Sequence, residues 1–365
     1  MPTTNPPKIL LTGTTGFIGG TILTTLLSSP SPHLKNLTIT CLIRGPDRAH
    51  TLTSTYGSRV HPVLYNDLND LETTTAIAAQ HDIVISTTLG YHLPSAEALL
   101  KGLKRRKEES GNEKEVWMLH LSGTSNVAGF PITGAHYEPT RSFDDTLHDI
   151  YAYEKTREEE SSYIQRTTEL GVVDLGLELG VKTVVLMPPT VYGMGTGLFN
   201  KYSIQIPTYI RGAIDVGKAV VVAEGRGRNG SVHVEDLADL YCLLLSNILS
   251  DNGNNIPTGK KGILFAENGN HTWREVAELV GEALHARGKL DSQEVRSVTL
   301  SEGTKIFASY LETVDEKMVE SGLCGDSRTV ASVARGLGWV PRRGEEAWKK
   351  GVREDVGMVL EILGR

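Results

Sequence analysis

Residues 12–20 read TGTTGFIGG, directly behind the apolar run KILLT (8–12) and at the head of FIGGTILTTLLSS. Glycines 13, 16 and 19 stand at G-x-x-G-x-x-G spacing. Without side chains at these points a strand can turn sharply into a helix, and backbone N–H groups can approach an anion at the helix N-terminus. A plain strand-to-helix turn with packing glycines would use the same letters. The strand before the motif and the helix after it point to a dinucleotide pyrophosphate.

The rest of the N-terminal half has the rhythm this motif requires. LTITCLIR (37–44), HPVLY (61–65), HDIVIS (81–86), EVWMLHLS (115–122) and VKTVVLMP (181–188) are short and apolar almost throughout, with helical patterns between them. Such strands are buried on both faces, which specifies a parallel, doubly wound α/β sheet of Rossmann type. PSAEALLKGLKRRKEE (94–109) is the clearest intervening helix, with proline at its start and cations in its last turns. Beyond about residue 195 the pattern changes. DNGNNIPTGKKG (251–262) is a loop by composition, and HTWREVAELVGEALHARG (271–288) is a helix opening on the capping-box pair Thr272 and Glu275. The expected organisation is a dinucleotide-binding domain over 1–195, with part of 196–250 returning to it, and a smaller mixed substrate domain over 196–365.

Length and charge bound the function. The 365 residues exceed the ~250–300 at which one core stops growing, in keeping with two domains. Net charge is −7, and the basic residues are scattered rather than striped, which argues against a nucleic-acid partner. There is neither a secretory leader pattern nor an apolar run near the ~20 residues of a membrane span, so a cytoplasmic protein without a membrane partner is expected. Cys41, Cys242 and Cys324 are far apart and form no C-x-x-C, so buried reduced thiols are expected and no metal site.

TGTTGFIG resembles the N-terminal fingerprint of the extended short-chain dehydrogenases/reductases, the group of nucleotide-sugar epimerases and dehydratases and of dihydroflavonol-type reductases. The resemblance continues in NDL (66–68), LSGTSNVAG (121–129), PPTVYG (188–193), SVHVEDLADL (231–240) and LGWVPR (337–342). It implies cofactor contacts from Gly13, Thr15, Gly16, Phe17, Ile18 and Gly19, from Thr87, from Asp67 and Leu68 beside adenine, and from Pro189, Thr190 and Val191 beside the nicotinamide. Asp67 reads equally as a helix N-cap, and the prolines as strand terminators. The resemblance also selects Thr124 as the hydroxyl that orients the reacting oxygen, and reads His233 and Asp236 as architecture. It further implies a homodimer through helices beginning near 94 and 151.

Cofactor choice turns on the end of the second strand, LIRGPDR. A basic residue there pairs with a 2′-phosphate, where an acidic one would bind ribose hydroxyls. Arg44, with Arg48 one turn on, favours NADP over NAD. The bland alternative is two surface arginines in a loop.

The chemistry of the family uses a tyrosine four residues before a lysine on one helix face, the ammonium lowering the phenol's pKa. Tyr151 and Lys155 fit that spacing. Counting back about thirty residues from PPTVYG lands instead near Ser161–Tyr163, with Gln165 or Thr167 at the lysine position, so two registers compete. In the first, Tyr151, Lys155 and Thr124 form the active site of an NADP-dependent oxidoreductase acting on a carbonyl or alcohol of a small molecule. The alternatives are a nucleotide-sugar epimerase or dehydratase, with Arg211, Arg226 and Arg228 as a diphosphate clamp, and a cofactor-binding relative without turnover.

Overall fold

A computed structural model of the chain describes residues 7–111, 114–311 and 315–364. The N-terminal half alternates β1 (Ile9–Thr12), α1 (Phe17–Ser28), β2 (Ile39–Ile43), α2 (Pro46–Tyr56), β3 (Val60–Leu64), α3 (Leu71–Ala78), β4 (Ile83–Ser86), α4 (Leu93–Glu109) and β5 (Trp117–Leu121). There follow β6 (Phe143–Asp144), α5 (Ile150–Glu160), α6 (Ile164–Leu179), β7 (Lys182–Met187) and β8 (Thr190–Tyr192). The C-terminal part comprises α7 (Gln205–Val216), β9 (Ala219–Val222), β10 (Arg228–His233), α8 (Val234–Asp251), β11 (Ile263–Phe265), β12 (Asn270–Thr272) and α9 (Trp273–His285). It continues with β13 (Val295–Val298), α10 (Leu300–Leu311), α11 (Glu316–Leu323), β14 (Thr329–Val330), α12 (Ser332–Gly336) and α13 (Glu345–Ile362).

Seven strands make one sheet in the order β11-β7-β5-β4-β1-β2-β3, and every pairing in it is parallel. The fold is therefore the doubly wound α/β sheet that the apolar runs specify. β1, β4 and β5 are buried at every position, which is why their sequences do not alternate. α1 packs on α8, while α3, α4 and α6 form a second layer of neighbours. The order reverses between β1 and β4, and the crevice beyond their carboxyl ends is where such sheets bind ligands.

The six-strand reading misses β11, which arrives from beyond the Gly- and Asn-rich loop and pairs with β7. Residues on both sides of 195 thus build one sheet. A second hydrophobic cluster, drawn mostly from the later part with Tyr192 of β8, surrounds Tyr209, Trp273 and Phe307, with the Tyr209 and Trp273 rings stacked at 5.8 Å. The capping box of α9 forms as its spacing predicts. All three cysteines are buried and free. Among the described residues no helix is long and apolar enough to cross a membrane.

Candidate functional site

The glycine loop between β1 and α1 is built against Thr87, just after β4. Gly13 has φ +76°, and a Cβ there would lie 2.4 Å from the Thr87 carbonyl oxygen. A Cβ on Gly19 would lie 2.3 Å from the Gly13 oxygen. Thr87 donates its hydroxyl to the Thr12 carbonyl at 2.6 Å, so it braces the loop from behind. Gly16 is the N-cap of α1 and supplies no side-chain acceptor, which leaves first-turn N–H groups free for an anion. Thr15 accepts from the Asn200 amide at 3.3 Å, Phe17 is buried and Ile18 packs on the main core. Segment 193–201 crosses the head of α1 so closely that a Cβ on Gly197 would lie 2.8 Å from the Gly20 Cα. These residues fit a dinucleotide: the cradle tolerates no side chain, and the helix end has donors to spare.

Arg44 follows β2 and, with Gly45, Asp47 and Arg48, lines an open hollow at the same end of the sheet. Both arginines are exposed. Asp67 is also exposed and accepts from the Asn69 amide at 2.7 Å, closing a turn. The N-cap of α3 is Asp70, whose side chain accepts from the Thr73 amide, so the capping alternative for Asp67 fails by three residues. Leu68 is half-buried beside it.

At the ends of β4, β5 and β7 a set of hydroxyl and amide groups converges. Ser125 donates to Gln165 Oε1 at 2.8 Å, and Tyr163 donates its phenol to Ser125 Oγ at 3.2 Å. The Gln165 Nε2 reaches towards Gly90 and Gly123, where added Cβ atoms would lie 3.8 and 2.8 Å away. Tyr91 stands near Tyr163, and burial raises its pKa above the ordinary phenol value, with Tyr163 adding to the rise. Thr124 shares a hydrogen bond with Ser327 at 3.2 Å. Ser327 donates to Asn229, which in turn donates to Thr190 Oγ1 at 3.0 Å. Thr124 and Thr190 are buried, their hydroxyls tying the strand ends to the C-terminal part. Pro189 is buried against Gly230, whereas Val191 is half-buried. Over the α5–α6 junction, Lys317 of α11 donates to Ser161 Oγ at 2.9 Å and to the Ser162 carbonyl at 2.8 Å.

Tyr151 and Lys155 are not part of this convergence. Tyr151 donates to Asp174 Oδ1 at 2.5 Å, and Lys155 donates to Asp174 Oδ2 at 3.0 Å. Asp174 lies nine residues beyond Gln165 on α6, about 14 Å along the axis at ~1.5 Å per residue. Lys260, just before the amino end of β11, sits over the Tyr151 ring at 4.8 Å. Burial and the Asp174 carboxylate raise the Tyr151 pKa, the opposite of what a proton-transferring phenol requires. The geometry thus sets Tyr151 and Lys155 on Asp174, while the side chains that reach the strand ends, Tyr163 and Gln165, lie in the later register. Ser125 and Gln165 were the harder to find. Ser125 neighbours Thr124 in sequence, and Gln165 is reached only by counting back from PPTVYG; nothing in the letters pairs the two.

His233 accepts from the Glu235 amide at 3.2 Å to cap α8, and Asp236 accepts from the Arg343 side chain at 2.6 Å and from its amide at 2.9 Å. Of the three arginines considered for a diphosphate, Arg211 lies over the Tyr310 ring at 5.6 Å and Arg228 donates to Asn270 at 2.8 Å. Among the described residues no group of three or more His, Cys, Asp or Glu side chains could hold a metal ion.

Residues 112–256 match the model of the NAD dependent epimerase/dehydratase family. The chain is 27% identical over 307 residues to the oxidase ucsJ of Acremonium sp, covering 82% of this chain and 85% of that protein. Among solved structures it resembles the PbgP3 protein of Burkholderia pseudomallei, with a TM-score of 0.64, 15% identity and 98% of each chain covered. It also resembles the dTDP-glucose 4,6-dehydratase DesIV of Streptomyces venezuelae, solved with NAD and TYD bound, with a TM-score of 0.60, 15% identity and 98% of each chain covered. The UDP-glucose 4-epimerase of Thermotoga maritima, solved with UDP-glucose, gives a TM-score of 0.59 at 15% identity over 98% of this chain and 99% of that one. At these identities the structural likeness establishes the shared fold.

Proposed function

We propose, from the match of residues 112–256 to the NAD dependent epimerase/dehydratase family, that the chain is a nicotinamide-dependent oxidoreductase acting on a carbonyl or alcohol carbon of a small molecule, with NADP as the preferred cofactor. One observation carries the reading: the Tyr163, Ser125 and Gln165 side chains are hydrogen-bonded to one another at the strand ends, on the side of the sheet where the glycine loop opens. The bound dinucleotide supplies or takes the hydride. Gly13, Gly16, Gly19 and the free N–H groups of α1 hold its pyrophosphate. Arg44 and Arg48 provide the guanidinium partners that a 2′-phosphate needs.

The protein's own part is proton handling and orientation. Tyr163 is the acid for the substrate oxygen, in place of Tyr151. Ser125, its one proton given to Gln165, accepts from the phenol and holds it at the strand ends beside the substrate oxygen, while Gln165 fixes the Ser125 rotamer. Thr124 holds the strand end through Ser327 and does not act on substrate directly. The likeness to an oxidase supports redox chemistry. The dehydratase and epimerase neighbours leave a retained-cofactor reaction as the competing enzyme.

A second reading, a dinucleotide-binding protein without turnover, has one observation in its favour. No lysine stands one turn beyond Tyr163, where residue 167 is threonine, and Gln165 carries no charge. Purified protein incubated with NADPH or NADH and a panel of aldehydes and ketones separates the readings. Net oxidation of cofactor supports the oxidoreductase. Conversion of a nucleotide sugar without net oxidation supports the epimerase or dehydratase, and tight binding with neither supports the silent protein.

A further inference from the structure

The α5–α6 pair carries charge where no water reaches. Glu154 of α5 and Glu169 of α6 are both fully buried. Among the described residues neither Glu154 oxygen has a hydrogen-bond partner, and Glu169 Oε1 has none either. Glu169 Oε2 accepts from Asn126 Nδ2 at 2.6 Å, and the same nitrogen donates to Ser122 Oγ at 3.2 Å. Burial raises the pKa of both carboxyls, and in Glu154 the facing Glu169 raises it further.

Among the described residues, the charged and polar groups that act most strongly on the pair are Ser122 and Asn126 from the loop after β5, Arg157 from α5 and Arg166 from α6. The two guanidiniums are engaged elsewhere. Arg157 donates to the Ala128 carbonyl at 2.8 Å. Arg166 donates to the Asn126 carbonyl at 2.9 Å, to Glu158 at 3.0 Å and to the Ser161 carbonyl at 2.5 Å. With both guanidiniums turned to other acceptors, ionising both carboxyls would set two like charges against each other in a dry site, a cost that one retained proton removes. The groups around that proton are the ones that bolt residues 122–128 to both helices.

We infer that Glu154 and Glu169 share one proton, and that this protonated pair is a positioning element for the 122–128 loop that carries Ser125. Losing the proton sets two buried negative charges against each other across the α5–α6 contact. The contact then opens, and Asn126 is released with the loop it anchors. Its effect on turnover rests on the oxidoreductase reading, in which Ser125 must stay aligned with Tyr163 and Gln165. The shared proton and the loop's tethering do not rest on it.

The test uses the full-length protein and Glu154→Gln, which keeps shape and removes one acid. Infrared spectroscopy should show a protonated, water-shielded carboxyl in the parent at pH 6, lost when Glu154→Gln and Glu169→Gln are combined. Absence of that band in the parent overturns the shared proton. Amide-exchange protection of residues 122–128 should fall about tenfold or more in the parent over the pH range in which the band disappears, and stay level in Glu154→Gln. Equal pH profiles of protection in the two proteins overturn the positioning role. In an active preparation, the alkaline limb of the kcat profile should move up by about one pH unit in Glu154→Gln with KM for the cofactor unchanged. If the protein is silent towards every substrate, the infrared and exchange results still decide this inference, while the activity reading fails on its own.

Discussion

Tyr163 donates its phenol to the Ser125 hydroxyl at 3.2 Å, and this contact joins the start of α6 to the loop that follows β5. On the proposed function it gives the proton-transfer role to Tyr163 rather than to Tyr151. Tyr163→Phe should lower turnover by the ~10²–10⁴-fold typical of a lost general acid, with cofactor affinity little changed. Tyr151→Phe removes a hydrogen bond to Asp174, costing about 1 kcal/mol of stability with turnover intact. Steady-state kinetics with a thermal melt on each variant checks both, and a reversal between the two tyrosines would defeat the assignment.

Arg44→Glu should weaken NADPH binding by about ten- to a hundredfold, the worth of one charge-assisted phosphate contact, and NADH binding far less. Fluorescence titration with each cofactor measures the ratio. Equal losses would remove the case for NADP.

Asp355 on α13 is buried with neither oxygen hydrogen-bonded among the described residues, and burial pushes its pKa up to about 7. A carboxyl whose folded pKa lies above its unfolded value of about 4 gives full stability below that value and loses it as pH rises through about 7. Asp355→Asn should therefore match the parent near pH 4 and be more stable by a few kcal/mol at pH 8. Urea unfolding at the two pH values tests this, and a difference that did not depend on pH would refute it.

His271 stacks on Trp348 at 4.5 Å, with both ring nitrogens buried and unpartnered among the described residues. Burial lowers its pKa to about 3, so it is neutral in the fold. The unfolded imidazole takes up a proton near 6.5, and the fold loses stability as pH falls from there towards 3. His271→Phe keeps the stack and removes two unsatisfied nitrogens. It should raise stability by about 1–3 kcal/mol at neutral pH and by more at pH 5, as read from denaturant midpoints.

Much of this molecule was legible in its letters because the signals were local. TGTTGFIGG lies between a strand and a helix that the flanking residues themselves specify, and the capping box of α9 needs only Thr272 and Glu275. The site was harder because its spacing is tertiary. Tyr151 and Lys155 satisfy a one-turn rule on α5, yet the break at residues 161–163 lets the helical run restart, and α6 brings Gln165 to the strand ends instead. Ser327 reaches Thr124 across more than two hundred residues, a pairing that no periodicity encodes. β11 was hidden for a simpler reason: three residues, ILF, are too short to show a pattern.

That same short strand governs the order in which a nascent chain can be finished. β7 pairs with β5 on one side and β11 on the other, and β11 lies more than seventy residues further along. A ribosome that has released only the first 195 residues therefore presents the apolar run TVVLM with one row of backbone donors and acceptors unpaired, the kind of edge that recruits other chains. A fragment cut there should precipitate during expression, and the shortest soluble form should extend past Phe265.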